Sequence, residues 1–86
     1  MPEEPREHTV KRLHMRSMRR GIKEMDLILS AYAQAELADM SDARLALYDS
    51  LLSENDQDLY QWVTGQTAAP EPFADMISDI SMVFQK

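Results

Sequence analysis

The residues with the clearest chemical capacity stand together in Arg20-Gly21-Ile22-Lys23-Glu24. Arg20 carries a planar fork of N–H donors that matches a carboxylate or a flat polar edge, and Glu24 offers two acceptor oxygens. Between them Gly21, which has no Cβ, suits either a turn at positive φ or the close approach of another backbone. If Gly21 opens a helix, Glu24 falls in its first turn, beside free N–H groups and the positive end of the dipole. Two readings follow. One is an intrachain Arg20–Glu24 ion pair bracing a helix corner; the other is a set of exposed donors and acceptors for a partner. Other candidates carry less. His8 and His14 are six positions apart and lack the i, i+4 spacing of a helical metal pair. Asp56 and Asp58 invite a paired-carboxylate reading, but two positions apart on a helix they diverge, and acids in a first turn are explained by the dipole. Trp62 reads as a core anchor and not as a stacking platform. The absence of cysteine removes disulfides, thiolate catalysis and cysteine metal sites. No nucleophile stands beside a base, no glycine loop cradles phosphate and no dinucleotide fingerprint is present, so the chain is expected to bind and not to catalyse.

Charge is segregated along the chain. Residues 1–23 hold seven bases (Arg6, Lys11, Arg12, Arg16, Arg19, Arg20, Lys23) against three acids (Glu3, Glu4, Glu7), a net of +4. Residues 24–86 hold two bases (Arg44, Lys86) against twelve acids, a net of −10, which with the first part gives the total of −6. Such a distribution steers a partner electrostatically, or else it is consumed internally by laying the basic helix on acidic neighbours. Nucleic-acid binding through the basic segment is the competing functional class; the acidic majority would repel phosphates.

The elements that must position these residues are helices. Residues 1–4 read as a frayed tail rich in proline and glutamate. Val10, Leu13, Ser17-Met18 and the bracketing Met15 fall near helical spacing over residues 5–19, with cations between them. Gly21 then stands where a C′ glycine or a helix-opening turn belongs. A second helix over residues 22–38 buries Ile22, Met25, Leu29, Tyr32, Ala33 and Leu37, widened by Leu27, Ile28 and Ala31; it is expected to be central and packed on two sides. Glu24, Asp26 and Lys23 lie off its stripe, exposed at the corner. Ser41 caps a third helix over residues 42–53, with Met40 and Leu45 placed as a hydrophobic staple. Asn55 or Asp56 caps a fourth, ending near Thr64 with Gly65 at C′. Residues 66–72 form a linker, with Pro70 or Pro72 able to open the last helix. There Phe73, Met76, Ile77, Ile80, Val83 and Phe84 make the most regular apolar stripe of the chain. The expectation is one all-α domain of five short helices, its core including Met25, Leu29, Tyr32, Leu45, Leu52, Leu59, Trp62, Phe73, Ile77 and Ile80. No apolar run is long enough to cross a membrane or to form a secretory signal.

Two blocks of sequence carry a resemblance. Arg16-Ser17-Met18-Arg19-Arg20-Gly21-Ile22-Lys23-Glu24-Met25-Asp26-Leu27 resembles the R-G-x-x-E signature, with its following D-L pair, of the FAD assembly factor SdhE family. Asp56-Gln57-Asp58-Leu59-Tyr60-Gln61-Trp62-Val63-Thr64-Gly65 resembles the same family's D-x-D-L-x-x-W-x-x-G block. The tail from Gln66 onward has little family signature. The resemblance implies a chaperone-like assembly factor that binds the flavoprotein subunit of succinate dehydrogenase or fumarate reductase. There it would promote covalent attachment of FAD to a histidine of that subunit. Carried over residue by residue, it makes Arg20, Gly21 and Glu24 partner-binding, with Asp26, Arg16 and Arg19 as further candidates. The implied mechanism is orientation: the flavin's methyl carbon and the acceptor histidine must meet in the right geometry, and a binding partner can supply that without a reacting group. No metal and no permanently bound cofactor are expected, FAD being attached to the partner. A monomer in the bacterial cytoplasm, binding neither nucleic acid nor membrane, completes the expectation. The alternative is a small regulatory helical module, antitoxin-like or nucleic-acid-binding through its first helix.

Overall fold

The computed structural model describes residues 5–84, and the first of its helices, α1 (Arg6–Met18), starts where the Pro5 carbonyl accepts the His8 and Thr9 amides at 3.0 Å. The tail expected at residues 1–4 lies outside the described residues. Leu13 and Ser17, one turn apart, are fully buried, with Val10 packed partly against the core. Met15 and Met18 stay 45% and 61% exposed. The reason is angular: at 100° per residue Met15 lies about 160° from the centre of the Val10, Leu13, Ser17 face.

After the connection 19–22, α2 (Lys23–Glu36) buries Met25, Ile28, Leu29, Tyr32 and Ala33, then tightens into a 3₁₀ turn over Leu37–Asp39. The stripe is narrower than expected. Leu27 is 63% exposed and Ala31 is exposed too, because both fall on the side of the helix away from Met25 and Tyr32. Helix α2 packs against α1 on one side and the last helix on another, so its central position is as the pattern implied.

Helix α3 (Asp42–Leu51) is capped by Ser41, whose hydroxyl accepts the Arg44 amide at 3.2 Å. It stops two residues short of the expected end, and Leu52 packs into the core from the turn beyond it. Helix α4 (Asp56–Val63) is capped by Asn55, whose side-chain oxygen accepts the Gln57 amide at 2.8 Å. Gly65 closes it at φ +85°, with its amide donating to the Trp62 carbonyl. That left-handed backbone is the one place among the described residues where glycine is required by φ. Helix α5 (Ala74–Phe84) buries Met76, Ile77 and Ile80 beside Phe73, whereas Phe84 at its end is 47% exposed.

The five helices share one core and no strand occurs among the described residues. Of the ten expected core residues, nine are buried; Trp62 is only half-buried and stacks on Phe73 with ring centroids 6.3 Å apart. Tyr32 and Tyr48 meet at 5.6 Å in the centre. The Tyr48 hydroxyl and the Ser17 hydroxyl share a 2.6 Å hydrogen bond, and Ser17 also donates to the Leu13 carbonyl at 2.7 Å, so this buried serine is satisfied. Burial raises the Tyr48 pKa to about 12, against the smaller opposing effect of its bond to Ser17.

Candidate partner interface

The corner between α1 and α2 is built by two carboxylates. Helix α1 ends at Met18, and the next amides need acceptors. The Arg20 amide donates to Asp26 Oδ1 at 2.7 Å, and the Gly21 amide donates to Asp56 Oδ2 at 2.6 Å. Asp56 is the first residue of α4, where the dipole also favours its charge. Its other oxygen, Oδ1, accepts from Arg20 Nε at 2.6 Å. The rest of the guanidinium reaches the α3–α4 turn, donating from Nη1 to the Leu52 carbonyl at 2.7 Å and from Nη2 to the Glu54 carbonyl at 3.0 Å. Arg20 is thus a strut. Its side chain is 10% exposed and that of Asp56 is 18% exposed, so the pair is largely withdrawn from water.

This arrangement alters both readings of the corner. The brace exists, but Arg20 takes Asp56, thirty-six residues away, and not Glu24. Gly21 has no positive φ; a Cβ there would stand 3.0 Å from Asp56 Oδ2, so the carboxylate would have to give by a few tenths of an ångström. Asp26, expected on the surface, is half-buried and holds the Arg20 amide. Arg16 is half-buried on Asp49, with its Nη1 donating to both the Asp49 carboxylate and carbonyl, while Arg12 donates to both Asp49 oxygens at 3.1 Å. What the corner leaves in solvent is Arg19, the Gly21 backbone, Lys23 and Glu24, flanked by the exposed apolar side chains of Met18 and Leu27. Glu24 lies on the rim of a polar depression of about 360 Å³ that it shares with Ile22, Gln57, Tyr60, Gln61 and Gln66. Sequence reasoning missed Asp49 and took Asp56 for a cap or a dipole-favoured first-turn acid, not for the partner of Arg20. A first-turn acid and an acid in a last turn look like ordinary solvated carboxylates until the fold brings arginines to them.

Chemically the exposed arc is suited to reversible polar contact. It presents a carboxylate, two cations, bare backbone and two apolar side chains on a base that is internally bonded. Among the described residues no group of three or more histidines and carboxylates is placed to hold a metal ion, and no helix is long and apolar enough to cross a membrane.

Fold and corner together define a small all-α protein whose surface is organised by one helix junction. Residues 11–83 match the model of the family described as the flavinator of succinate dehydrogenase, and the chain belongs to that family. Among its relatives is a mitochondrial succinate dehydrogenase assembly factor 2 of Meyerozyma guilliermondii, 42% identical over 86 residues, covering 96% of this chain and 62% of the relative. Another is the mitochondrial succinate dehydrogenase assembly factor 2-B of Drosophila mojavensis, 40% identical over 74 residues, covering 84% of this chain and 47% of the relative. The chain spans about half the length of curated relatives such as these. The bacterial cytoplasmic location expected from the sequence is corrected by these findings, since relatives such as these are eukaryotic proteins named as mitochondrial. Lack of cysteine in the sequence, and of a membrane-crossing helix among the described residues, bears on redox chemistry and insertion and not on compartment, and a mitochondrial protein meets both conditions equally well.

Proposed function

We propose that this protein is an assembly factor that engages the flavoprotein subunit of succinate dehydrogenase and promotes covalent attachment of FAD there, contributing orientation and no reacting group. The observation that carries the reading is the family match over residues 11–83, which takes in all of the junction motif. The junction's geometry is in keeping with it. Gly21 and Glu24 are held on the surface by a brace that already satisfies Arg20, Asp26 and Asp56, so the contact surface is formed before the partner arrives. Preformed sites of this kind lose little entropy on binding. On this reading Glu24, Gly21 and Arg19 touch the flavoprotein, whereas Arg20, Asp26 and Arg16 act by keeping the corner in shape.

Holding the flavoprotein so that the flavin methyl carbon faces its acceptor histidine converts an encounter into an oriented reaction within one complex. FAD stays with the partner throughout. The test is co-production of this chain with a flavoprotein subunit, read by covalent flavin fluorescence in a denaturing gel. Wild type should raise the signal and Glu24→Ala should reduce it at least tenfold without lowering the amount of folded factor. Equal fluorescence with and without the factor would defeat the proposal.

A further inference from the structure

A second surface lies along α1, away from the core. Lys11, Met15 and Arg19 follow one another at four-residue steps, and all three are exposed, as is His8 beside them. They line an open groove of about 620 Å³ whose remaining wall is Arg12, Arg16 and Arg20. The wall cations are fixed by Asp49 and Asp56. Lys11 and Arg19, by contrast, have no hydrogen bond or ion pair from their side chains among the described residues. The groove therefore presents two exposed, unpaired cations at its ends, an apolar thioether between them and a wall of arginines already held by carboxylates. Seven helical steps of 1.5 Å from Lys11 to the end of α1, with Arg19 one residue beyond, set the two cations on the order of 12 Å apart.

We infer that this groove docks an extended polypeptide segment carrying acid, apolar and acid side chains at alternate positions. In an extended strand, residues i, i+2 and i+4 point to one side and span about 13 Å, which matches the Lys11, Met15, Arg19 spacing. The carboxylates meet Lys11 and Arg19, and the apolar side chain meets Met15, whose flexible thioether adapts to varied shapes. A compact anion such as phosphate needs converging donors, and here the unpaired cations stand at opposite ends. A long polyanion would run beyond the groove onto a body that carries −10 over residues 24–86. Polypeptide of short acidic stretch is what remains. On the proposed function, which this inference deepens, the segment belongs to the flavoprotein, and the groove gives it a second foothold beside the Glu24 corner.

The experiment is fluorescence anisotropy with the whole chain at low salt. The probe is a labelled seven-residue peptide with glutamate at its second and sixth positions, leucine at its fourth and serine elsewhere. A control peptide has the same composition with both glutamates adjacent. The patterned peptide should bind at least fivefold more tightly than the control. Lys11→Glu combined with Arg19→Glu should weaken it at least tenfold, and Met15→Ser should remove the advantage of leucine over serine at the fourth position. Melting curves of each variant exclude unfolding as the cause, since these side chains lie outside the core. Equal binding of the two peptides, indifference to the charge reversals, or tighter binding of an oligothymidylate of similar length would overturn the inference. A flavoprotein pull-down run in parallel separates it from the function proposed above: capture of the subunit without peptide binding sinks the groove alone, and peptide binding without capture leaves the groove standing while the assembly reading falls.

Discussion

Arg20 and Glu24 sit four residues apart in one motif and the structure gives them opposite surroundings. Removing Arg20 leaves the largely buried Asp56 carboxylate without its cation and strips the Leu52 and Glu54 carbonyls of donors. Arg20→Ala should therefore cost about 3 kcal/mol of stability, measured by urea unfolding. Glu24→Ala, on an exposed first-turn acid, should cost less than about 1 kcal/mol. A similar loss for both would contradict the strut. Gly21→Ala opposes two effects. Restricting the unfolded chain favours the variant by about 0.4–1 kcal/mol. Pushing Asp56 Oδ2 back by a few tenths of an ångström weakens its charge-assisted bond from the Gly21 amide, whose full worth is about 1.5–3 kcal/mol. The bond should win, leaving a net loss near 1 kcal/mol, and a variant as stable as wild type would show that the Asp56 carboxylate can move aside freely.

At the scale of elements, α1 is tied to α3 by the Ser17–Tyr48 hydrogen bond at the centre of the core. The Tyr48 pKa is raised from 10.0 to about 12 by burial, so the unfolded chain releases this proton first as pH rises. The sign follows: stability from neutral Tyr48 is complete below pH 10 and is lost progressively between pH 10 and 12. Burial raises Tyr32 as well, in the same direction. Thermal melts across this window should show a falling midpoint, and Tyr48→Phe should flatten the fall while costing about 0.5–1.5 kcal/mol at neutral pH. An unchanged slope in Tyr48→Phe would assign the alkaline loss elsewhere. The end of α4 offers a separate test. Gly65→Ala places a Cβ on a left-handed residue at φ +85°, where nothing crowds it, so the cost is conformational alone and should be about 1–2 kcal/mol.

Over the whole molecule part of the charge asymmetry is consumed within the fold, where Arg6, Arg12, Arg16 and Arg20 of the basic segment all take carboxylates. Arg6 reaches Asp42 and Arg12 and Arg16 reach Asp49, so the basic first helix lies along acidic partners from α3, while Arg20 in the connection after it reaches Asp56 of α4 and Arg44 reaches Asp79. Apart from the Arg20 pair, each of these leaves about a third or more of both side chains exposed. Such pairs contribute about 0–1 kcal/mol each and are screened by salt. Raising sodium chloride to 1 M should therefore move the melting midpoint by only a few degrees, while the rate of association with an acidic partner falls steeply. A large loss of stability in salt would mean that the surface pairs hold the fold together. With a radius of gyration of 12.3 Å, close to the roughly 12 Å expected of a folded chain this long, the molecule is compact enough for its core to carry that role.

Helix order, caps and core faces were legible because they depend on neighbours in sequence. The spacing of Met25, Leu29 and Tyr32 dictates a buried stripe, Ser41 and Asn55 supply oxygens where amides lack partners, and Gly65 alone tolerates the backbone that ends α4. The junction motif and the family it resembles were legible in the same way, as local strings. What local strings do not carry is which side chains meet across the fold. Arg20 and Asp56 are neighbours only because α2 sets α1 beside the α3–α4 turn, and periodicity could not tell that Leu27 and Met15 face away from a core whose direction depends on the other helices. Tertiary structure therefore decided that Arg20 braces the corner and that Glu24 stands free of it, because burial and long-range pairing belong to the packed arrangement and not to any one segment.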